Sequence, residues 1–103
     1  MYNLILITCS NKTEAKKISN YLVKNKLAAC VNIIYNIESS YWWKNKIETS
    51  KECLLIVKTL NTLVNKLIKE VKKIHTYTVP EIISLSITKG NKDYFNWIKD
   101  SLK

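Results

Sequence analysis

Between Ala28 and Lys58 the chain carries two β-type runs separated only by Lys44 and Asn45, and no other feature limits the possible folds as strongly. The first run passes through Val31, Ile33, Ile34, Tyr35 and Ile37 to Tyr41, with Trp42 and Trp43 following directly. In the second, alternation puts Ile47, Thr49, Lys51, Cys53, Leu55 and Val57 on one side. Two strands joined by a two-residue turn make a hairpin, and Asn45 takes the positive φ of such a turn almost as well as Gly. Each arm is about 12 residues, well beyond the usual five or six. Such a ribbon projects past helices of ordinary length and carries Tyr41, Trp42 and Trp43 out from the core.

The flanking segments decide what the hairpin belongs to. Asn3 to Thr8 is a short apolar run suited to a central strand. Ser10 or Asn11 then caps a helix reaching about Lys26, with Glu14 in capping-box position and Ala15, Ile18 and Leu22, with Tyr21 beside them, on its apolar stripe. After the hairpin, Leu60, Leu63, Val64, Leu67, Ile68, Val71 and Ile74 repeat at helical spacing through Asn61 to His75. Pro80 can only open a strand, which Glu81 to Thr88 supplies. Lys89-Gly90 makes a turn, and Tyr94, Phe95, Ile98 and Leu102 give a last helix its apolar face.

The order is β-α-β-β-α-β followed by a C-terminal helix. Two right-handed crossovers sharing one sheet give an α+β, ferredoxin-like domain over residues 1–103, a four-stranded antiparallel sheet with both crossover helices on one face. The other face stays bare. An apolar sheet face beside an overhanging aromatic hairpin calls for a partner, and the simplest is another copy.

Composition removes several functions. The net charge is +9, but all 17 basic residues are Lys, and splitting the chain after Lys58 leaves 9 Lys and 4 acids before it and 8 Lys and 4 acids after it. No basic block is present, and the excess reads as drift toward Lys, Asn and Ile. The RNA-recognition fold shares this strand order but stacks bases on aromatics of its first and third strands, where this chain has Leu-Ile-Leu-Ile and Cys-Leu-Leu-Ile-Val. Without Arg the usual bidentate reader of guanine is missing as well. A single Gly excludes a Gly-rich phosphate loop, and an anion cradle built on Arg cannot be made. Cys9, Cys30 and Cys53 have no disulfide or zinc-knuckle spacing and read as buried thiols. Pairing one of them with His75 as a nucleophile lacks the helix-start or basic context that lowers a thiol pKa. No apolar run has the roughly 18 residues of a membrane span, and the N-terminus lacks a basic leader, so a soluble, cytoplasmic protein is expected.

Two groups of residues remain as candidate sites. His75 ends the second helix, where a protonated ring also suits the helix dipole. Glu81 follows six residues on, so the intervening segment can turn both toward one cation. On the third strand Glu48, Glu52 and Lys58 share one sheet face, where they are solvated or, if covered, must be paired or line a cleft.

Several short motifs then fall into register. Leu27-Ala28-Ala29-Cys30-Val31-Asn32-Ile33, Ser39-x-Tyr41-x-Trp43, Ile47-Glu48, Glu52, Lys58-Thr59, His75-x-Tyr77-x-x-Pro80-Glu81 and Gly90-x-x-x-Tyr94-x-x-Trp97 resemble the CutA divalent-cation tolerance family over nearly the whole chain, from about Leu4 to Leu102. The resemblance implies a compact homotrimer similar to the PII signalling proteins, a link to tolerance of copper and other divalent cations, cytoplasmic location in bacteria and no agreed enzymatic activity. It also implies a copper site built from a first-strand Cys and His near the end of the second helix. Here Ile7 stands at that Cys position, with Cys9 on the same side about 7 Å along, and Ile74 stands where some relatives have a first His. The clefts of such a trimer are expected to be lined by Tyr41, Trp43, Glu52, Lys58, His75, Tyr77 and Glu81, with His75 and Glu81 as the metal candidates. Two alternatives to copper or another divalent cation are a PII-like metabolite sensor using the same clefts and an RNA-binding domain.

Overall fold

The structure, a computed structural model, describes residues 1–103. In chain order it contains β1 (Tyr2–Cys9), α1 (Lys12–Lys24), β2 (Cys30–Trp43), β3 (Lys46–Leu60), a 3-10 turn (Asn61–Leu63), α2 (Val64–Ile74), β4 (Ile82–Ile87) and α3 (Lys92–Ser101). The strands form one antiparallel sheet in the order β2-β3-β1-β4. This is the ferredoxin-like arrangement expected from the element order, including the strand at Ile82 that follows Pro80.

The hairpin turns where its residues allow. Lys44 (φ 50°) and Asn45 (φ 64°) both occupy the left-handed region, the signature of a type I′ turn whose twist matches that of the strands. Pairing runs from Cys30–Lys58 to Trp43–Lys46 with one irregularity between Ile34 and Ile37, where Asn36 adopts φ 58°. This bulge changes which side chains share a face. Before it Cys30, Asn32 and Ile34 lie on the side away from α1 and α2; after it the odd residues Ile37, Ser39, Tyr41 and Trp43 lie there, opposite Glu52, Ser50, Glu48 and Lys46. Strict alternation along the sequence would have placed Tyr41 and Trp43 on the opposite face.

The core lies between the sheet and the two crossover helices. Ile5, Ile7 and Cys9 of β1 and Cys53, Leu55 and Val57 of β3 pack on Ala15, Ile18 and Leu22 of α1 and Leu67 and Val71 of α2. Burial along β3 begins only at Glu52, so the hairpin beyond it overhangs and stretches the molecule to 44 × 25 × 22 Å.

Both helix ends are set locally. Asn11 caps α1 by accepting from the Glu14 backbone N–H at 2.9 Å, which satisfies one orphan donor of the first turn. The helix stops at Lys24, two residues short of the sequence expectation. Lys26 (φ 58°) takes the left-handed position that usually holds Gly, with Lys26 N–H donating to Val23 O and Leu27 N–H to Leu22 O, a Schellman closure. In place of a helix from Asn61 onward, the 3-10 turn precedes α2, and His75 leaves the helix in extended conformation.

The opposite sheet face is partly covered at one end by α3, where Phe95 stacks on Tyr2 at 4.5 Å. Gly90 serves this packing, because a Cβ there would lie 2.6 Å from the Phe95 ring. The remainder of that face presents Leu4, Leu6, Ile34, Leu54, Ile56, Ile83 and Leu85, of which Ile83 and Leu85 are each 49% exposed.

Candidate functional site

Where the overhanging hairpin meets the loop after α2, the chain forms an open groove of ≈ 810 Å³. The hairpin supplies Ser39, Tyr41, Trp42 and Trp43, β3 supplies Glu52, and the loop into β4 supplies Thr76, Tyr77, Thr78, Val79 and Glu81. The β2 bulge aims Tyr41 and Trp43 here, and Pro80 keeps the loop extended beside them. The Tyr77 hydroxyl donates to Glu52 Oε2 at 2.6 Å, tying the loop to β3. Burial and this bond to a carboxylate push the Tyr77 phenol well above its ordinary pKa, so it stays a donor. The groove therefore combines aromatic surface, hydroxyls and two carboxylates.

Five of the residues singled out in the sequence, Tyr41, Trp43, Glu52, Tyr77 and Glu81, come together in this groove. Lys58 and His75 do not. Lys58 lies six residues further along β3, about 20 Å away at the rise of a strand. There it is paired between Cys30 and Leu4 and donates to Asn32 Oδ1. His75 turns away from Glu81 into the protein, with its side chain fully buried.

A second cluster sits where His75 enters the core. Its Nε2 donates to Thr8 O at 2.7 Å, and its Nδ1 accepts from Tyr77 N–H at 3.0 Å. Glu14 reaches the same place from the first turn of α1. One carboxylate oxygen accepts from the Ser10 N–H and hydroxyl, both at 2.9 Å; the other accepts from Thr76 N–H at 2.7 Å and lies 3.6 Å from His75 Nδ1. Burial alone would raise the Glu14 pKa, but the hydrogen bonds from Ser10 and Thr76 outweigh it and hold the carboxyl at about 2. Cys9 completes the group, with single ligand atoms of Cys9, Glu14 and His75 all within 4.8 Å of one another. Burial, reinforced by the charge of Glu14, pushes the Cys9 thiol up to about 12.

Sequence reading weighed Cys9 against His75 only as one of three thiols and as a neighbour of the Ile7 position, and it missed Glu14 as a partner of His75. Glu14 reads there as a capping residue, yet its side chain passes Asn11 and grips Ser10 and the distant Thr76. The available signal was the pairing of Cys9 with a nearby first-turn carboxylate in a topology that brings the end of α2 over the end of β1.

Residues 3–101 match the family model described as CutA1 divalent ion tolerance protein. The chain belongs to the CutA1 divalent ion tolerance family. It is 44% identical over 100 residues to the chloroplastic CutA 1 protein of Oryza sativa, covering 97% of this chain and 56% of that protein, so it spans about half the length of that relative. It superposes on the divalent cation tolerance protein of Thermus thermophilus with a TM-score of 0.97 at 40% identity, over 100% of both chains. A structure described as the periplasmic divalent cation tolerance protein CutA from Archaeoglobus fulgidus matches equally, with a TM-score of 0.97 and 41% identity over 100% of both chains. The relatives thus carry different locations in their names. In this chain no helix is long and apolar enough to cross a membrane.

Proposed function

We propose that this CutA1-family chain is a non-catalytic homotrimeric binding protein in the cellular response to divalent cations. Its groove takes the ligand, copper or another divalent cation, with Glu52 and Glu81 as charged contacts and Tyr41, Trp43 and Tyr77 as the walls. The observation that carries this reading is the convergence of both carboxylates and the aromatic residues at the border of an uncovered apolar face. A second copy seated on that face would turn the open groove into a cleft between subunits. A binding role is further supported by the position of His75, which is sealed outside the groove and supplies no base to its hydroxyls. Leu4, Leu6, Leu54 and Ile56, instead of aromatics, face outward from β1 and β3, which argues against base stacking. The aromatic lining also favours the second reading, a PII-like sensor of a small metabolite in the same groove.

Light scattering and calorimetry test the proposal together. The expected solution mass is three times the 12.0 kDa chain, and Cu(II) or Zn(II) titration is expected to lose affinity at least tenfold in Glu81→Gln. A monomer at micromolar concentration would overturn the assembly. Unchanged cation affinity in Glu81→Gln and Glu52→Gln would remove the cation from the groove, leaving metabolite titration to decide the sensor reading.

A further inference from the structure

We infer that the groove beside the hairpin binds an aliphatic diammonium ion, an organic dication of the polyamine class. This rests on the second reading of the groove, as a small-molecule site, and gives that molecule its chemistry. Glu52 is only 8% exposed, yet its carboxylate has one neutral donor, the Tyr77 hydroxyl at Oε2, and forms no ion pair with any of the 17 Lys. A nearly buried carboxylate without a counter-charge is costly. A cationic ligand supplies the missing charge. Glu81 adds a second carboxylate to the same groove, and no Lys lines it. The net charge of +9 repels cations from the molecule as a whole, so the attraction has to be local.

The spacing of the two acids selects an extended dication. Glu52 lies on β3 and Glu81 just ahead of β4, and these strands flank β1 on opposite sides. Their backbones are therefore two strand spacings apart, about 10 Å. A metal ion wants three or four donors converging on one point. A chain with an ammonium group at each end meets both carboxylates without drawing them together.

The walls select an organic ion. Tyr41, Trp42, Trp43 and Tyr77 all line the groove. The Tyr41 hydroxyl is hydrogen-bonded to Ser50 at 3.2 Å and that of Tyr77 to Glu52, so these residues offer a ligand their ring surfaces. Ring faces attract ammonium groups, Trp most strongly, and methylenes between the charges pack on the same surfaces as the stem of a Lys does. A hydrated metal ion gains neither contact. Because Glu52 and Glu81 are also the charged contacts of a divalent metal ion in this groove, the two ligands exclude each other.

The test is calorimetric titration of the full chain with putrescine, n-butylamine and butanediol, which carry two, one and no ammonium groups. Putrescine is expected to bind at one site per chain, n-butylamine at least tenfold more weakly and butanediol not at all. Glu81→Gln is expected to lose at least tenfold in putrescine affinity. Trp43→Leu is expected to lose as much while keeping its Zn(II) affinity. In the unsubstituted protein, putrescine is expected to change the intrinsic Trp fluorescence, a readout independent of any variant's folding. Butanediol or n-butylamine binding as tightly as putrescine, or putrescine affinity unchanged in both variants, would overturn the diammonium ligand and leave the groove as a site for other small molecules. Zn(II) binding that depends on Glu81, with no heat and no fluorescence change from putrescine, would overturn it and keep the metal reading. Failure of both ligands to bind would overturn the groove as a cation site altogether.

Discussion

Glu14, in the first turn of α1, ties that helix through its carboxylate to Ser10 just after β1 and to the loop at Thr76. The carboxyl is held at about 2 in the folded protein against an ordinary 4.5. A depressed folded-state pKa contributes stability above the unfolded value and loses it as pH falls through the folded one. The contribution is about 3 kcal/mol above pH 4.5, fading between there and pH 2. Urea unfolding of the native chain and Glu14→Gln across this range is the check. The stability gap is expected to be constant above pH 5 and to close on acidification, whereas a gap independent of pH would show that packing alone holds Glu14. The sequence showed Glu14 only as a capping residue because propensity reasoning sees contacts four residues away, and Thr76 is 62 residues distant. By contrast Tyr41, Trp43, Glu52, Tyr77 and Glu81 were legible as neighbours because the turn at Lys44-Asn45 and the Pro80 loop place them by local chemistry.

At the scale of elements, the fold was legible wherever a period and a punctuating residue agreed. The Asn11 cap and the two-residue hairpin turn lie where expected, and α2 ends within a residue of expectation although a 3-10 turn takes its first three residues. The β2 bulge was not legible, since Asn36 is one of many Asn residues in the chain and only the register with β3 distinguishes it. The hairpin turn itself is locally imperfect. Lys44 carries a Cβ and a long side chain in a left-handed conformation, which disfavours most non-Gly residues by about 1 kcal/mol or more. Lys44→Asn combined with Asn45→Gly restores the preferred type I′ pair. The double variant is expected to gain about 1 kcal/mol in chemical unfolding, with an unchanged far-UV spectrum. A loss of stability would mean that Lys44 makes a compensating interaction at the hairpin tip.

On the scale of the molecule, two surface terms oppose each other. Each chain carries +9, so bringing three together is electrostatically unfavourable, while Ile34, Ile83 and Leu85 stand 44%, 49% and 49% exposed on one continuous sheet face. Apolar area removed from water contributes roughly 25 cal/mol per Å², and burying this face is what can offset the repulsion of Lys side chains. That balance has a salt signature. The Debye length shortens from about 30 Å at 0.01 M to about 10 Å at 0.1 M. Added salt therefore weakens repulsion between subunits and leaves apolar burial intact, so the subunit dissociation constant is expected to fall as ionic strength rises. Leu85→Lys separates assembly from folding, because a half-exposed β4 side chain can place its ammonium in water in an isolated subunit but not against a second copy. The variant is expected to sediment as a 12.0 kDa species with native circular dichroism. If it keeps the native mass, the subunits meet elsewhere, and the groove at the hairpin is not the border of an interface.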